Sequence, residues 1–442
     1  MNSLEHQAGT LPPADATDAH DRRLALAGSM VFAACGFAAA WSVSRSLAPY
    51  FVPALLVPML LAATPLAARR SFLVRAMVVG LVTLMLITIG MTATMTSRLR
   101  HGPVGYLNGT TVHYIHDGAV HTEEAMRWLR RGVNPYGADY RDTAYGAYTD
   151  SLSQDLRPNP PWFHHVYPPF HLLVSLPFQA ALERLTGWYD QRVVYLVAEL
   201  VALGFLLLIA HGREWRLFIA TLFVLNPFWF QHFLIGFNDV FVFALLAAAV
   251  WQLTRRRFVA ASVWYGLAFA AKQSVWPLAP FFFAYVWWQR PGRRQCWRAV
   301  AAFVIVLGLT FGPFAIWDFQ ALVNDLWRFP TGALVTSYPI SGVGLSALLL
   351  HVGVIADRYD YFPFILPQVL VGAPLLLLLF VKLRQRPTVA RLLWTSTLFT
   401  FVVWFLSRYF NMNYVAYFSM LGILWLAVTG PPRFTVAHRT PV

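Results

Sequence analysis

FHLLVSLPFQAALERL, residues 170–185, decides how this chain is threaded. It is apolar, but a helix crossing a hydrocarbon core of roughly 30 Å needs about 20 residues, and this one is shorter. Pro177 also removes a backbone donor near its middle. Counted as a span, it would invert everything after it and put Arg255, Arg256 and Arg257 on the outer side, against the rule that short cytoplasmic loops carry the positive charge. The segment is therefore read as interfacial or re-entrant.

Working outward, apolar runs of spanning character lie at 24–43, 50–68, 72–95, 192–210, 216–235, 239–254, 258–271, 274–289, 299–317, 364–382, 389–407 and 413–429. The 258–271 and 274–289 pair is short. The chain has 442 residues, 58% hydrophobic, 16% aromatic and 12% charged, whereas soluble domains run to about 45–50% apolar and about 25% charged. The expectation is an all-α polytopic membrane protein of about twelve transmembrane helices. A closed barrel is excluded, because its strands would alternate apolar and polar residues and these runs do not.

The net charge of +14 sits mainly in short clusters between apolar runs. These are Arg69 and Arg70, Arg213 and Arg216, Arg255 to Arg257, Arg293 and Arg294, Lys382 with Arg384 and Arg386, and Arg433. Placed in alternate loops, they read as cytoplasmic topology signals rather than a nucleic-acid surface. Cys35 and Cys296 have no CxxC or Cys/His spacing, so no disulfide framework or thiolate metal site is indicated.

The organisation expected is a cytoplasmic tail over 1–23, three helices over 24–95, an extracytoplasmic loop over 96–191, a membrane core over 192–429 with a second outer loop at 318–363, and a cytoplasmic tail over 430–442. Both termini are then cytoplasmic. Loops this long between membrane helices are usually functional. No repeat at a fixed period marks duplicated halves.

The first loop holds HDGAVHTEEAMRWLRRGVNPY, 116–136. On a helical wheel Asp117, His121, Glu124 and Trp128 share a narrow face, with Thr122, Met126, Leu129 and Val133 opposite. Gly132 and Pro135 stop the helix. The pattern is that of an amphipathic helix on the outer membrane surface, apolar side down and acids up; the plainer alternative is a solvated face on a loop helix. Further along come Asp139, Asp142, His164, His165 and YPPF (Tyr167 to Phe170). GFNDVF brings Asn238 and Asp239 to the outer end of a span, AFAAKQSVW brings Lys272 and Gln273, and SRYFNMNY brings Arg408, Asn413 and Tyr414.

All these charges map to one membrane face, where an uncompensated charge is costly. Two acids with Lys and Arg suit an anionic substrate approached by a carboxylate base. Taken singly, each residue also has a structural reading. Asp239 caps a helix, Lys272 snorkels, Arg408 flanks a span and Glu199 bonds a neighbouring helix. His164 and His165, being adjacent, are a poor chelating pair.

In order and sidedness these pieces resemble the multi-spanning glycosyltransferases of the GT-C fold class, most of all the family 87 mannosyltransferase-type branch and its uncharacterised relatives. The likeness runs from Tyr114 to Tyr417 through HDG…TEEA…LRRGVNPY, YPPF…LPF, GFND, GLAFAAKQSVWPLAPF and RYFNMNYVAY. It implies a GT-C-like bundle whose large first extracytoplasmic loop, with its interfacial helices, is catalytic. It implies an integral, multi-pass enzyme of the plasma (inner) membrane that moves a sugar, mannose favoured, from a polyprenyl-phosphate donor to a lipid or glycan acceptor of the cell envelope, on the outer face and with inversion.

Carried to this chain, the catalytic acid is Asp117, with Glu124 its rival, and the phosphate ligands are Lys272 and Arg408. His121, Tyr136, His165, Tyr167, Asn238, Asp239, Gln273, Asn413 and Tyr414 are candidates for the substrate pocket. No cofactor is required, although Asp117 with Glu124 could hold a divalent cation. The chain departs from the class pattern in two ways. Its acidic loop follows the third span rather than the first, and Gly118 to His121 stand where an aromatic or hydroxyl residue is frequent. The competing reading is a polytopic transporter or lipid-linked sugar flippase, and a non-catalytic scaffold is a further one.

Overall fold

The computed structural model describes residues 90–107, 110–148, 159–224 and 226–431. The expected spans at 24–43 and 50–68, most of that at 72–95, and both tails lie outside the described residues.

A helical stretch over 90–101 leads into a hairpin of β1 (Val104–Leu107) and β2 (Thr110–His113), antiparallel with Val104 opposite His113. Helix α1 is Asp117–Arg130 and α2 is Pro169–Thr186, which carries Pro177 inside it and ends on Gly187 in the left-handed conformation. There follow α3 (Arg192–Ile209), α4 (Arg213–Val224), α5 (Pro227–Ile235), α6 (Asp239–Thr254) and α7 (Phe258–Phe269). After a 3-10 segment at Gln273–Leu278 come α8 (Ala279–Trp288) and α9 (Arg293–Val323). The last four are α10 (Leu345–His351), α11 (Ile365–Gln385), α12 (Val389–Phe405) and α13 (Met412–Thr429). Two-residue strands β3 (Ser341–Gly342) and β4 (Tyr409–Phe410) pair in parallel and pin the 318–363 loop to the α12–α13 turn.

The centre of the bundle is α6. It is apolar all round and buried along nearly its whole length, as a helix without a polar face must be. Helices α3, α7 and α13 pack on it, and α9 closes over α7.

Among the described residues four helical stretches are long and apolar enough to cross a membrane, namely Arg192–Ile209, Arg293–Thr331, Ile365–Gln385 and Met412–Thr429, with shorter apolar helices at Asp239–Thr254, Phe258–Phe269 and Val389–Phe405. This is an integral membrane protein of mostly helical fold. The run read as a single span at 216–235 is instead two helices, α4 and α5. They break at Asn226, whose side chain accepts from the Phe228 N–H and donates to Ser419 at 2.7 Å. The run at 274–289 likewise divides into a 3-10 segment and the ten-residue α8. In α9 the backbone leaves helical geometry at Asp318, where the second outer loop was expected to start; its carboxylate accepts from the Ala321 N–H.

Helix α1 differs most from expectation. Every residue from Gly118 to Met126 is buried, so its first half is a plug inside the protein and not a raft on a surface. A charge network makes this tolerable. Glu123 pairs with Arg98, and Arg98 also reaches Asp190 at 2.7 Å. Asp190 in turn binds Arg192 through two contacts of 2.8 and 2.7 Å. Two cations and two anions leave no net charge to bury.

Candidate functional site

Asp117 is the first residue of α1, where the helix dipole favours a carboxylate. His116 caps the helix. The Gly118 N–H donates to His116 Nδ1 (3.1 Å) and to Asp117 Oδ1 (2.7 Å), and His116 Nε2 lies 3.0 Å from Asp117 Oδ1. With Nδ1 accepting, the proton is on Nε2 and points at the acid. Burial lowers the pKa of His116, which favours this neutral form. Its ring packs on Phe237 at 3.7 Å.

Lys272 projects from the turn after α7. Its Nζ donates to Asp239 Oδ1 (2.6 Å) and Asn238 Oδ1 (2.7 Å), and Asn413 Nδ2 donates to Asp239 Oδ2 (3.3 Å). Asp239 thus serves as the counter-ion of the lysine. Gln273 next to it donates to Val166 O at 2.8 Å, tying the loop before α2 to the turn.

Asp117 and Lys272 open onto one cavity of about 340 Å³. Its walls are aromatic, with Tyr145, Tyr167, Tyr338, Trp404, Tyr409 and Tyr414 among them, and His121, Gln273 and Asn413 supply further polar groups. Burial, and after it the Asp117 charge, holds Tyr145 and Tyr167 well above the usual phenol range, so they are neutral hydroxyls. Gly118 is dictated by this wall, since a Cβ there would stand 2.1 Å from the Tyr167 hydroxyl.

Other residues, some of them singled out from sequence, lie behind the cavity. Tyr136 donates its hydroxyl to Tyr167 O at 2.9 Å. His165 is buried edge-on to His121 and Tyr167, and burial pushes its pKa down to about 3. Asp325 accepts from the Gly137 and His165 N–H groups and from His164 Nδ1, clamping three loops.

Glu124, Arg408 and Glu199 stand apart from the lining. Glu124 is two turns along α1, about 10 Å from Asp117 along the helix axis. It is paired with Arg127, which also reaches Glu183. Among the described residues no group of three or more His, Cys, Asp or Glu side chains converges on one point where a metal ion could sit. Arg408 is 2% exposed and gives its guanidinium to the carbonyls of Tyr338, Asp360 and Arg358. Burial pulls its pKa down to about 10. Glu199 accepts from Trp229 Nε1 at 3.2 Å on the neighbouring α5.

Sequence reasoning passed over His116, Tyr145, Tyr338, Trp404 and Tyr409. Tyr338 lies in SYPISGVGLS, within the 318–363 loop. His116 carried a signal in HDG, a ring nitrogen two residues before an unpaired N–H.

A model of glycosyltransferase family 87 matches residues 165–407, more than half of the chain. The matched span includes Lys272, Asn238, Asp239 and Gln273; it begins after Asp117 and ends before Arg408. No curated protein and no solved structure matches.

Proposed function

The chain belongs to glycosyltransferase family 87, and from that membership we propose that it moves a sugar, mannose favoured, from a polyprenyl-phosphate donor to a lipid or glycan acceptor on the extracytoplasmic face of the plasma membrane. The observation that carries the reading is the sharing of one cavity by Asp117 and Lys272. Asp117 takes the proton of an acceptor hydroxyl. The oxygen attacks the anomeric carbon as the carbon–oxygen bond to phosphate breaks, and the configuration inverts. General-base help of this kind is worth about 10²–10⁴-fold. Lys272 meets the charge that gathers on the departing phosphate, already aimed by Asp239 and Asn238.

Asp117 is favoured over Glu124 as the base because Glu124 is spent on Arg127 outside the cavity lining. By the same argument Arg408 acts as a clamp between the outer loop and the α12–α13 turn, and Lys272 is the phosphate ligand. The cavity's aromatic walls suit the faces of a sugar ring and a prenyl chain.

Membranes carrying the protein, given a radiolabelled polyprenyl-phosphate sugar, should transfer label, and Asp117→Asn should lower the rate by about 10²–10⁴-fold without changing the unfolding temperature. Unaltered transfer by Asp117→Asn would remove the base from the scheme.

A further inference from the structure

One turn along α1 from Asp117, His121 also lines the cavity. Side chains four apart on a helix stand about 5–6 Å from each other at Cβ, within the width of a sugar ring. The Asp117 side chain is 42% exposed, whereas His121 is 1% exposed and so lies deeper. Its ring is clasped on three sides. Tyr145 lies parallel to it at 4.2 Å between centroids, Tyr140 stands edge-on at 4.5 Å, and His165 stands edge-on at 4.8 Å.

None of this aromatic packing satisfies a nitrogen. Nε2 of His121 and both ring nitrogens of His165 are buried without a hydrogen-bond partner among the described residues. Buried polar groups in folded proteins are nearly always bonded, and orphans are costly to keep. Burial, reinforced by the His165 and His164 rings, keeps His121 uncharged. A neutral imidazole offers one donor and one acceptor and no charge. That complement matches a hydroxyl, whereas the phosphate already has its match in Lys272.

We propose that His121, stacked on Tyr145 and backed by Tyr140 and His165, reads a hydroxyl of the sugar ring lying against Asp117, so that adjacent turns of one helix hold the base and the determinant of sugar selectivity. The inference takes the identity of its ligand from the glycosyl-transfer reading, but its first test needs no turnover.

Full-length protein in detergent is titrated with methyl α-mannoside, methyl α-glucoside and methyl α-galactoside, and separately with inorganic phosphate, and saturation-transfer NMR follows binding. His121→Phe keeps the stack and removes both nitrogens. The wild type is expected to bind at least one glycoside. His121→Phe weakens that binding by about tenfold, the scale of one uncharged hydrogen bond, and leaves phosphate binding intact. Lys272→Met does the reverse. His121→Gln, which restores a donor and an acceptor, recovers part of the glycoside binding and carries the test if the Phe variant does not fold.

Glycoside binding undiminished in these variants, or absent from the wild type, overturns the proposal. In the transfer assay, a donor-ring contact changes the preference of His121→Phe between lipid-linked mannose and glucose, and an acceptor-ring contact raises the KM for acceptor alone. Neither change appearing also overturns it. Unaltered transfer by Asp117→Asn would sink the catalytic scheme while leaving the glycoside titration to be judged by itself.

Discussion

The ammonium of Lys272 lies 2.6 Å from Oδ1 of Asp239, a carboxylate with no exposed side-chain surface. The pair is close to neutral as a unit, which lets the fold hold a cation at the cavity wall before any anion arrives. Removing one member strands the other, at a cost of about 3–5 kcal/mol for a buried pair. Asp239→Asn and Lys272→Met should each lower the unfolding temperature measured in detergent. Combining them removes both charges and should restore most of that loss, but not catalysis: kcat/KM should stay about 10²–10³-fold down, the effect of deleting one preorganised charge contact. A double variant as active as the wild type would show that the lysine serves folding alone.

The four-charge network of Arg98, Glu123, Asp190 and Arg192 makes a different demand. It joins the 90–101 helical stretch to α1 and to the start of α3, and Arg192 also donates to Thr94, Tyr114 O and Leu234 O. Glu123→Gln leaves an excess buried cation and should cost about 3–5 kcal/mol. Because these groups are sealed from solvent, the loss should be nearly the same at low and high salt, unlike that of an exposed pair. Denaturant unfolding at two ionic strengths checks both statements.

That network also shows where the sequence ceased to be legible. The membrane class and the boundaries of α3, α6, α11, α12 and α13 follow from uninterrupted apolar runs, a signal contained within each segment. Lys272, Asn238 and Asp239 were readable as site candidates because each interrupts such a run at the same face. Arg98 and Asp190 are 92 residues apart, and nothing local in either sequence announces the other. The wheel for α1 assumed that its charged face meets water; instead Glu124 on that face is buried against Arg127, and Glu123, which the wheel left off either face, meets Arg98. Arg408 was legible as a cation at the end of a span, yet the carbonyls that take up its donors belong to residues 338–360, on a separate loop.

Acid should destabilise the protein through its buried imidazoles. In the unfolded chain His116, His121 and His165 titrate near about 6.5. Burial lowers all three in the folded protein, His165 to about 3. Their folded pKa values are depressed, so the stability they contribute is complete above about 6.5 and lost as the pH falls from there towards 3, where the unfolded chain takes up protons that the folded one refuses. Each approaches about 1.4 kcal/mol per pH unit. The unfolding temperature should therefore drop between neutral pH and mild acid, and His165→Phe should make the drop shallower. A slope unchanged in that variant would mean that His165 is already protonated in the fold.

Gly118 gives the sharpest separation of stability from activity. It lies in the first turn of α1 at ordinary helical φ, where alanine is normally the better residue by about 1 kcal/mol. The Cβ of Gly118→Ala would stand 2.1 Å from the Tyr167 hydroxyl oxygen and 3.1 Å from Cζ, so the oxygen is the main obstacle. Tyr167 is half-buried on the cavity wall beside Asp117, and its displacement reshapes the place where the acceptor hydroxyl must meet the acid. Gly118→Ala should forfeit the expected gain in unfolding temperature and lower kcat by about tenfold or more, since a misplacement of about 1 Å can cost 10²-fold. Tyr167→Phe deletes the obstructing oxygen and should rescue much of the loss when combined with Gly118→Ala, although it lowers activity modestly by itself. A double variant no better than Gly118→Ala would place the harm in the Asp117 backbone instead of the tyrosine wall.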